Sequence, residues 1–159
     1  MTVMRSTYRS QIADLSVVFD SPAETVFDYL VDPEMRPEWQ ASLRRIDDFM
    51  PAGRRPGGTG TTWTDVTVVP CLAPRMEVTH DEPHRRWTEI GGWWFVDASL
   101  TLQVTSRDDG RTRVDVRAFL TVPIALAPGI PILRRLTPRA LRDDLERAAR
   151  ILDSDEHGR

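Results

Sequence analysis

Ser21-Pro22-Ala23-Glu24-Thr25-Val26-Phe27-Asp28-Tyr29-Leu30 reads as the opening of a helix. Ser21 has the side-chain oxygen of an N-cap, Pro22 suits the first helical position, and Glu24 stands where a capping box places its acid. Val26, Phe27 and Leu30 share one face, so the helix has a buried side. Asp32-Pro33 ends it near Val31 and starts a second short helix, Pro33 to Trp39.

Working outward, the pattern on both sides is extended. Ile12 to Phe19 is short and rich in β-branched residues, which predicts a strand. From Leu43 the period becomes two, with strands expected at Leu43–Phe49, Thr59–Val69, Arg75–Asp81, Arg86–Ile90, Trp94–Ser106 and Thr112–Thr121. Glu82-Pro83-His84, Gly91-Gly92 and Asp108-Asp109-Gly110 have turn chemistry, so neighbouring strands should form an antiparallel meander. Leu133, Leu136, Ala140, Leu141, Leu145, Ala148 and Leu152 then recur at helical spacing, giving a helix that begins or kinks at Thr137-Pro138 and ends near Asp153. The layout predicts an α+β fold: a curved seven-stranded antiparallel sheet around a long C-terminal helix, with two short helices between strands one and two. Residues 11–153 are expected to form a single domain, with flexible segments at 1–10 and 154–159, the latter including His157.

Composition removes several classes of function. With 21 basic and 24 acidic residues the formal charge is −3, against a phosphate-backbone binder, so no nucleic-acid partner is expected. Every basic residue is arginine, which excludes a lysine Schiff base. The lone Cys71 forms no internal disulfide and has no activating partner in the sequence, favouring a reducing, cytoplasmic setting. No apolar run is long enough for a signal peptide or a span, so stable membrane insertion is not expected. There is no Gly-x-Ser-x-Gly elbow, and Gly57-Gly58-Thr59-Gly60 lacks a phosphate-loop ending and reads as a flexible entry loop. His80 and His84 straddle a turn rather than a helix face, so no metal site is expected. The dispersed arginine pairs read as solvated surface.

The element order resembles the START-like superfamily of helix-grip folds, often called SRPBCC, and within it the polyketide cyclase/dehydrase and lipid-transport family. The resemblance rests on Ser21 to Phe27, on Asp32-Pro33-Glu34-Met35-Arg36-Pro37-Glu38-Trp39, on Pro83-His84-Arg85-Arg86-Trp87, on Asp109-Gly110-Arg111-Thr112-Arg113-Val114, and on Asp144-Leu145-Glu146-Arg147. It covers nearly the whole chain and implies a pocket between the sheet and the last helix. The functions it implies are broad: carriage of lipids or secondary metabolites, cyclisation of poly-ketone chains, and a few hydrolases or chaperone-regulating domains.

Strand alternation nominates the pocket walls: Val66, Val68, Met76, Val78, Leu100, Leu102, Val116, Ala118 and Leu120 from the sheet, and Leu136, Leu141 and Leu145 from the helix. Packing as a filled core is the competing role for each. Trp39 reads as a core plug. Trp63, Trp87 and Trp94 are candidate lining residues whose facing depends on strand register. If Trp87 faces inward, so does Glu89, and Asp65 follows Trp63 in the same way. Inward carboxylates would be candidate acid/base groups, because desolvation raises their proton affinity. Tyr29 has a hydroxyl able to reach the pocket mouth.

The apolar segment Val122 to Leu133 is read as a gate or lid, or as an external contact surface. The primary functional expectation is binding of a hydrophobic or polyaromatic small molecule without a cofactor. The alternatives are a cofactor-free polyketide cyclase or dehydrase and a protein-interaction domain with a collapsed cavity. A homodimer is compatible with the sequence.

Overall fold

The computed structural model describes residues 6–158. Strand β1 (Thr7–Phe19) leads into helix α1 (Ala23–Val31), a 3-10 turn (Pro33–Met35) and helix α2 (Arg36–Trp39). Six strands follow: β2 (Leu43–Met50), β3 (Thr62–Thr67), β4 (Arg75–Glu82), β5 (Arg86–Trp93), β6 (Val96–Ser106) and β7 (Thr112–Pro123). A 3-10 segment (Ile124–Gly129) then feeds helix α3 (Ile130–His157). The strands form one antiparallel sheet in the order β1-β7-β6-β5-β4-β3-β2. Register shifts at Gln11/Ala13 in β1 and Val78/His80 in β4 bend it, as an unpaired residue does in a ladder. This is the helix-grip fold.

One sheet face is dry over β1, β7 and β6, where alternate residues are apolar. Leu15 and Val17 of β1, Val114 and Val116 of β7, and Leu102 and Val104 of β6 are all buried in one core. Leu145, Ala148 and Leu152 cover them from α3, and Val26, Phe27 and Leu30 from α1. Two polar contacts fix the covering elements. Thr112 Oγ1 donates to the Ser21 carbonyl at 2.8 Å, and Asp144 of α3 accepts from the Ala41 amide at 3.0 Å.

Several local expectations are corrected. Pro22, extended at φ −62° and ψ 151°, is the N-cap of α1, and the buried Ser21 hydroxyl makes no cap hydrogen bond. Strand β1 begins at Thr7, so residues 7–10 of the expected flexible segment are paired with β7, while residues 1–5 lie outside the described residues. Helix α3 starts at Ile130 and passes through Pro138 without ending, and it continues to His157, into the expected tail; residue 159 lies outside the described residues. The loop read as flexible is packed: Gly57 and Gly58 are buried, and the Gly57 carbonyl accepts from Trp87 Nε1 at 2.8 Å.

The β5–β6 turn is Trp94-Phe95, not Gly91-Gly92. Trp93 pairs with Val96, and Trp94 takes φ 56°. Gly91 serves a different purpose, since a Cβ there would lie 2.7 Å from Met76 Sδ on the inner face.

Candidate ligand-binding site

Alternation along β5 points Trp87, Glu89, Gly91 and Trp93 to the inner face, and β3 does the same with Trp63 and Asp65. Between this face and α3 lies a cavity of about 320 Å³. Met76, Trp87, Leu100, Leu102, Val116 and Ala118 line it from the sheet, and Leu141 and Leu145 from the helix. Leu72, Pro74, Trp93, Val96 and Thr137 line it toward the end of the sheet that carries the β3–β4 loop and the β5–β6 turn. The cavity is not collapsed.

Its polar pole is built from three strands or helices. Arg36, the first residue of α2, is 6 % exposed and reaches inward to Glu89 of β5 and Asp65 of β3, each 4 % exposed. Arg36 Nη1 donates to Glu89 Oε2, and Arg36 Nη2 lies 3.5 Å from Asp65 Oδ2. Gln40, one helical turn beyond Arg36, accepts from Nε at 3.2 Å and from Nη2 at 3.0 Å. Trp63 Nε1 donates to Asp65 Oδ1 at 2.7 Å, and the guanidinium sits 5.3 Å from the Trp63 ring centroid. The fork of Arg36 is thus held by both carboxylates and an amide, the geometry in which a planar cation is best satisfied.

Burial pushes the Glu89 carboxyl above the ordinary glutamate range; the Arg36 charge opposes this, and the negative Asp65 adds to it. Burial acts against the charge of Arg36, but the two carboxylates outweigh it and hold the guanidinium protonated. Glu89 Oε1 has no protein hydrogen-bond partner among the described residues. The pole therefore offers an acceptor to a molecule in the cavity, with a net negative charge when both acids are ionised.

Several nominated residues fall elsewhere. Val66 is half-buried on the outer side of β3, because Trp63 and Asp65 take the inner positions, and Val68 is exposed beyond the strand end. Trp94 is 80 % exposed at the hairpin tip, because the turn falls at Trp94-Phe95, beyond Gly91-Gly92. Leu136 faces solvent, since Leu141 and Leu145 already define the inward side of α3. Trp63 and Val78 are fully buried core behind the lining, and Leu120, half-buried, lies outside it. Tyr29 instead donates to Glu38 at 2.9 Å, and burial and that carboxylate push its hydroxyl pKa up. His84, at φ 60°, lies 3.2 Å from Asp28 through Nε2 and packs edge-on against Phe27.

Arg36, Gly91 and Trp93 were not nominated. Trp93 follows from Trp87 by even steps once β5 is carried through the glycines. The signal for Arg36 is indirect: two inward carboxylates need a counter-charge, and Arg36 stands in a motif with an apolar neighbour, Trp39, that plugs the core.

A curved sheet that grips a terminal helix over a cavity defines the helix-grip class of small-molecule-binding folds. Residues 10–153 match the model of the family described as polyketide cyclase / dehydrase and lipid transport, and the chain belongs to that family. No curated protein matches the chain in sequence. Among solved structures, it is similar to a START superfamily protein from Mycobacterium smegmatis, with TM-score 0.72 and 12 % identity over 90 % of this chain and 99 % of that one. It is also similar to norcoclaurine synthase from Thalictrum flavum in complex with dopamine and hydroxybenzaldehyde, with TM-score 0.71 and 13 % identity over 97 % and 93 %. A Deinococcus radiodurans protein gives TM-score 0.58 and 21 % identity over 91 % and 95 %. At these identities the likeness is one of fold.

Proposed function

We propose that this chain binds a small hydrophobic or polyaromatic molecule in the cavity between sheet and α3, with its polar end at the Arg36–Asp65–Glu89 cluster. The single observation that carries the reading is an apolar cavity of about 320 Å³ ending on one buried charged pole. That volume falls in the range of small-molecule sites, and the pattern of apolar walls with few convergent polar groups is theirs. Burying apolar ligand surface supplies about 25 cal/mol per Å², and the pole sets orientation. Because two carboxylates face one guanidinium and Glu89 Oε1 accepts no hydrogen bond from the described residues, a ligand hydroxyl donating to Glu89 fits better than a ligand carboxylate. One protein of the same fold, norcoclaurine synthase, was solved with two small aromatic molecules, dopamine and hydroxybenzaldehyde, which supports this ligand class.

Titration with 2-naphthol, followed by quenching of Trp87 and Trp93 fluorescence, tests the reading. Saturable binding is expected, and Leu102→Trp, which fills the cavity, should abolish it. No quenching by 2-naphthol or naphthalene, together with no co-purifying mass in native mass spectrometry, would overturn it.

A second reading, a cofactor-free polyketide cyclase or dehydrase, is favoured by one feature: a buried carboxyl whose pKa is raised, with an unpartnered oxygen facing the ligand space. In that role the Glu89 carboxylate takes a proton from the carbon between two ketones, and the enolate carbon attacks a second carbonyl carbon of the folded chain. The ring C–C bond forms as that C=O π bond breaks, and Glu89 returns the proton to the alkoxide oxygen so formed, while the cavity holds the two carbons together. Glu89→Gln should then abolish conversion of a poly-ketone substrate while 2-naphthol still binds. Unchanged conversion would sink this reading alone.

A further inference from the structure

The antiparallel order puts the β3–β4 loop, the β5–β6 turn and the 3-10 segment after β7 at one end of the sheet, the end toward which the cavity runs. Large exposed apolar side chains concentrate there: Val68 and Val69 in the loop, Trp94 in the turn, Ile124 after β7, and Ile132 and Leu136 on α3. Helix α3 carries two apolar faces in succession. Leu141, Leu145 and Ala148 turn toward the sheet, whereas Ile132, Leu136 and Ala140 recur every fourth residue on the side away from it. Ile132 is 63 % and Leu136 55 % exposed, in a segment where a soluble helix would place polar residues.

The charge of the segment entering α3 is equally one-sided. From Val122 to Arg142 the sequence has Arg134, Arg135, Arg139 and Arg142 and no aspartate or glutamate, in a chain whose formal charge is −3. All four are exposed. Arg134, Arg135 and Arg139 have no ion-pair partner among the described residues, unlike the arginines of the sheet hairpins, which pair with nearby acids. An apolar stripe bordered by unpaired arginines is the composition of an interfacial helix, whose hydrophobic side enters the headgroup boundary while its cations meet anionic lipid. No helix of the described residues is long and apolar enough to cross a membrane, so the contact is peripheral.

We infer that the N-terminal half of α3, with the Trp94 hairpin tip, docks this protein reversibly on a bilayer bearing anionic headgroups and brings the cavity end against the lipid. A second copy of the chain fits less well, because two such faces would oppose their arginines without an acid to balance them. The inference stands on the surface and goes beyond the ligand reading, which can fail or hold independently.

The test is flotation of the full chain with phosphatidylcholine vesicles and with phosphatidylcholine vesicles containing phosphatidylglycerol. Binding is expected only to the second kind and should weaken with added salt. Removing two cations in Arg135→Gln/Arg139→Gln should lower partitioning by about 25-fold, roughly fivefold for each. Ile132→Ser/Leu136→Ser should abolish it, with circular dichroism and 2-naphthol binding unchanged. Met50→Ser, at an exposed residue of the opposite sheet end, should leave it intact. Absence of flotation, equal binding to both vesicles, or unchanged binding by Ile132→Ser/Leu136→Ser overturns the inference. So does a dimer in light scattering that Leu136→Ser dissociates while vesicles bind neither protein.

Discussion

Arg36 and Glu89 form a buried ion pair although 53 residues separate them in sequence. One comes from a four-residue helix and the other from the middle of a central strand, so the pair ties α2 to the sheet at the polar pole of the cavity. Removing the cation leaves Glu89 and Asp65 facing each other in a dry environment. Arg36→Met should therefore cost about 3–5 kcal/mol, the range for breaking one partner out of a buried pair. Combining it with Glu89→Gln should recover part of that loss, because one of the two stranded carboxylates is gone. Urea unfolding measures both, and a single-variant loss as small as that of the exposed Arg85→Met would contradict the assignment.

The pH dependence has a definite sign. Burial, ahead of the opposing Arg36 charge, raises the Glu89 carboxyl above its unfolded value, so the folded state binds the proton more tightly than the unfolded state. The contribution of this group to stability is fully present below the ordinary glutamate range and is lost as pH rises through the elevated folded value. Glu89→Gln removes the titration. The difference in unfolding free energy between wild type and Glu89→Gln should shift in favour of the variant as pH rises above that range. A difference flat with pH would mean that Glu89 titrates normally in the fold.

Gly91 sets the depth of the cavity. A Cβ there would stand 2.7 Å from Sδ and 3.1 Å from Cε of Met76, the far end of a flexible side chain. Gly91→Ala should fold, because Met76 can rotate away, and the cavity that both residues line lies in its path. The expected effect is a loss of about tenfold or more in 2-naphthol affinity, the scale of one methylene in an apolar pocket, with little change in unfolding midpoint. Met76→Ala in the same chain should restore binding. If Gly91→Ala binds as wild type does, the ligand does not reach this part of the sheet.

Much of this architecture was legible because period is a direct consequence of burial. The six-strand run, the α1 opening and the Leu141–Leu145–Leu152 stripe each repeat the spacing their backbone imposes. The same rule makes Val66 and Asp65 mutually exclusive on one face of β3, and composition alone does not choose between an apolar valine and an acid next to a tryptophan. The choice is made by Arg36, which arrives from outside the strand and stabilises the inward acid. Gly91-Gly92 has turn chemistry, but a missing side chain equally suits a strand pressed against Met76. The outward apolar face on α3 was hidden for a related reason. Leu136 continues the hydrophobic spacing of the buried stripe closely enough to be counted with it, and only its position on the helix circumference separates the two.

Gly57 carries a sharper demand than any turn glycine in the chain. An added Cβ would fall 2.2 Å from the Val31 carbonyl oxygen and 3.0 Å from its carbon, both backbone atoms at the end of α1. No rotamer change relieves such a contact, so the loop or the helix end must move. The same residue's carbonyl accepts the indole N–H of Trp87, a ring that is 1 % exposed and lines the cavity. Displacing the loop therefore strands a buried donor as well as opening a gap. Gly57→Ala should cost about 3 kcal/mol, the upper end of ordinary single substitutions. Gly129→Ala is the contrast, since its Cβ would meet nothing within 4 Å and its backbone is already helical at φ −77°. That change should be neutral or mildly stabilising, through lost freedom in the unfolded chain. Thermal unfolding of the two variants side by side decides the matter: equal midpoints would show that the Pro51–Gly60 loop is not packed on α1.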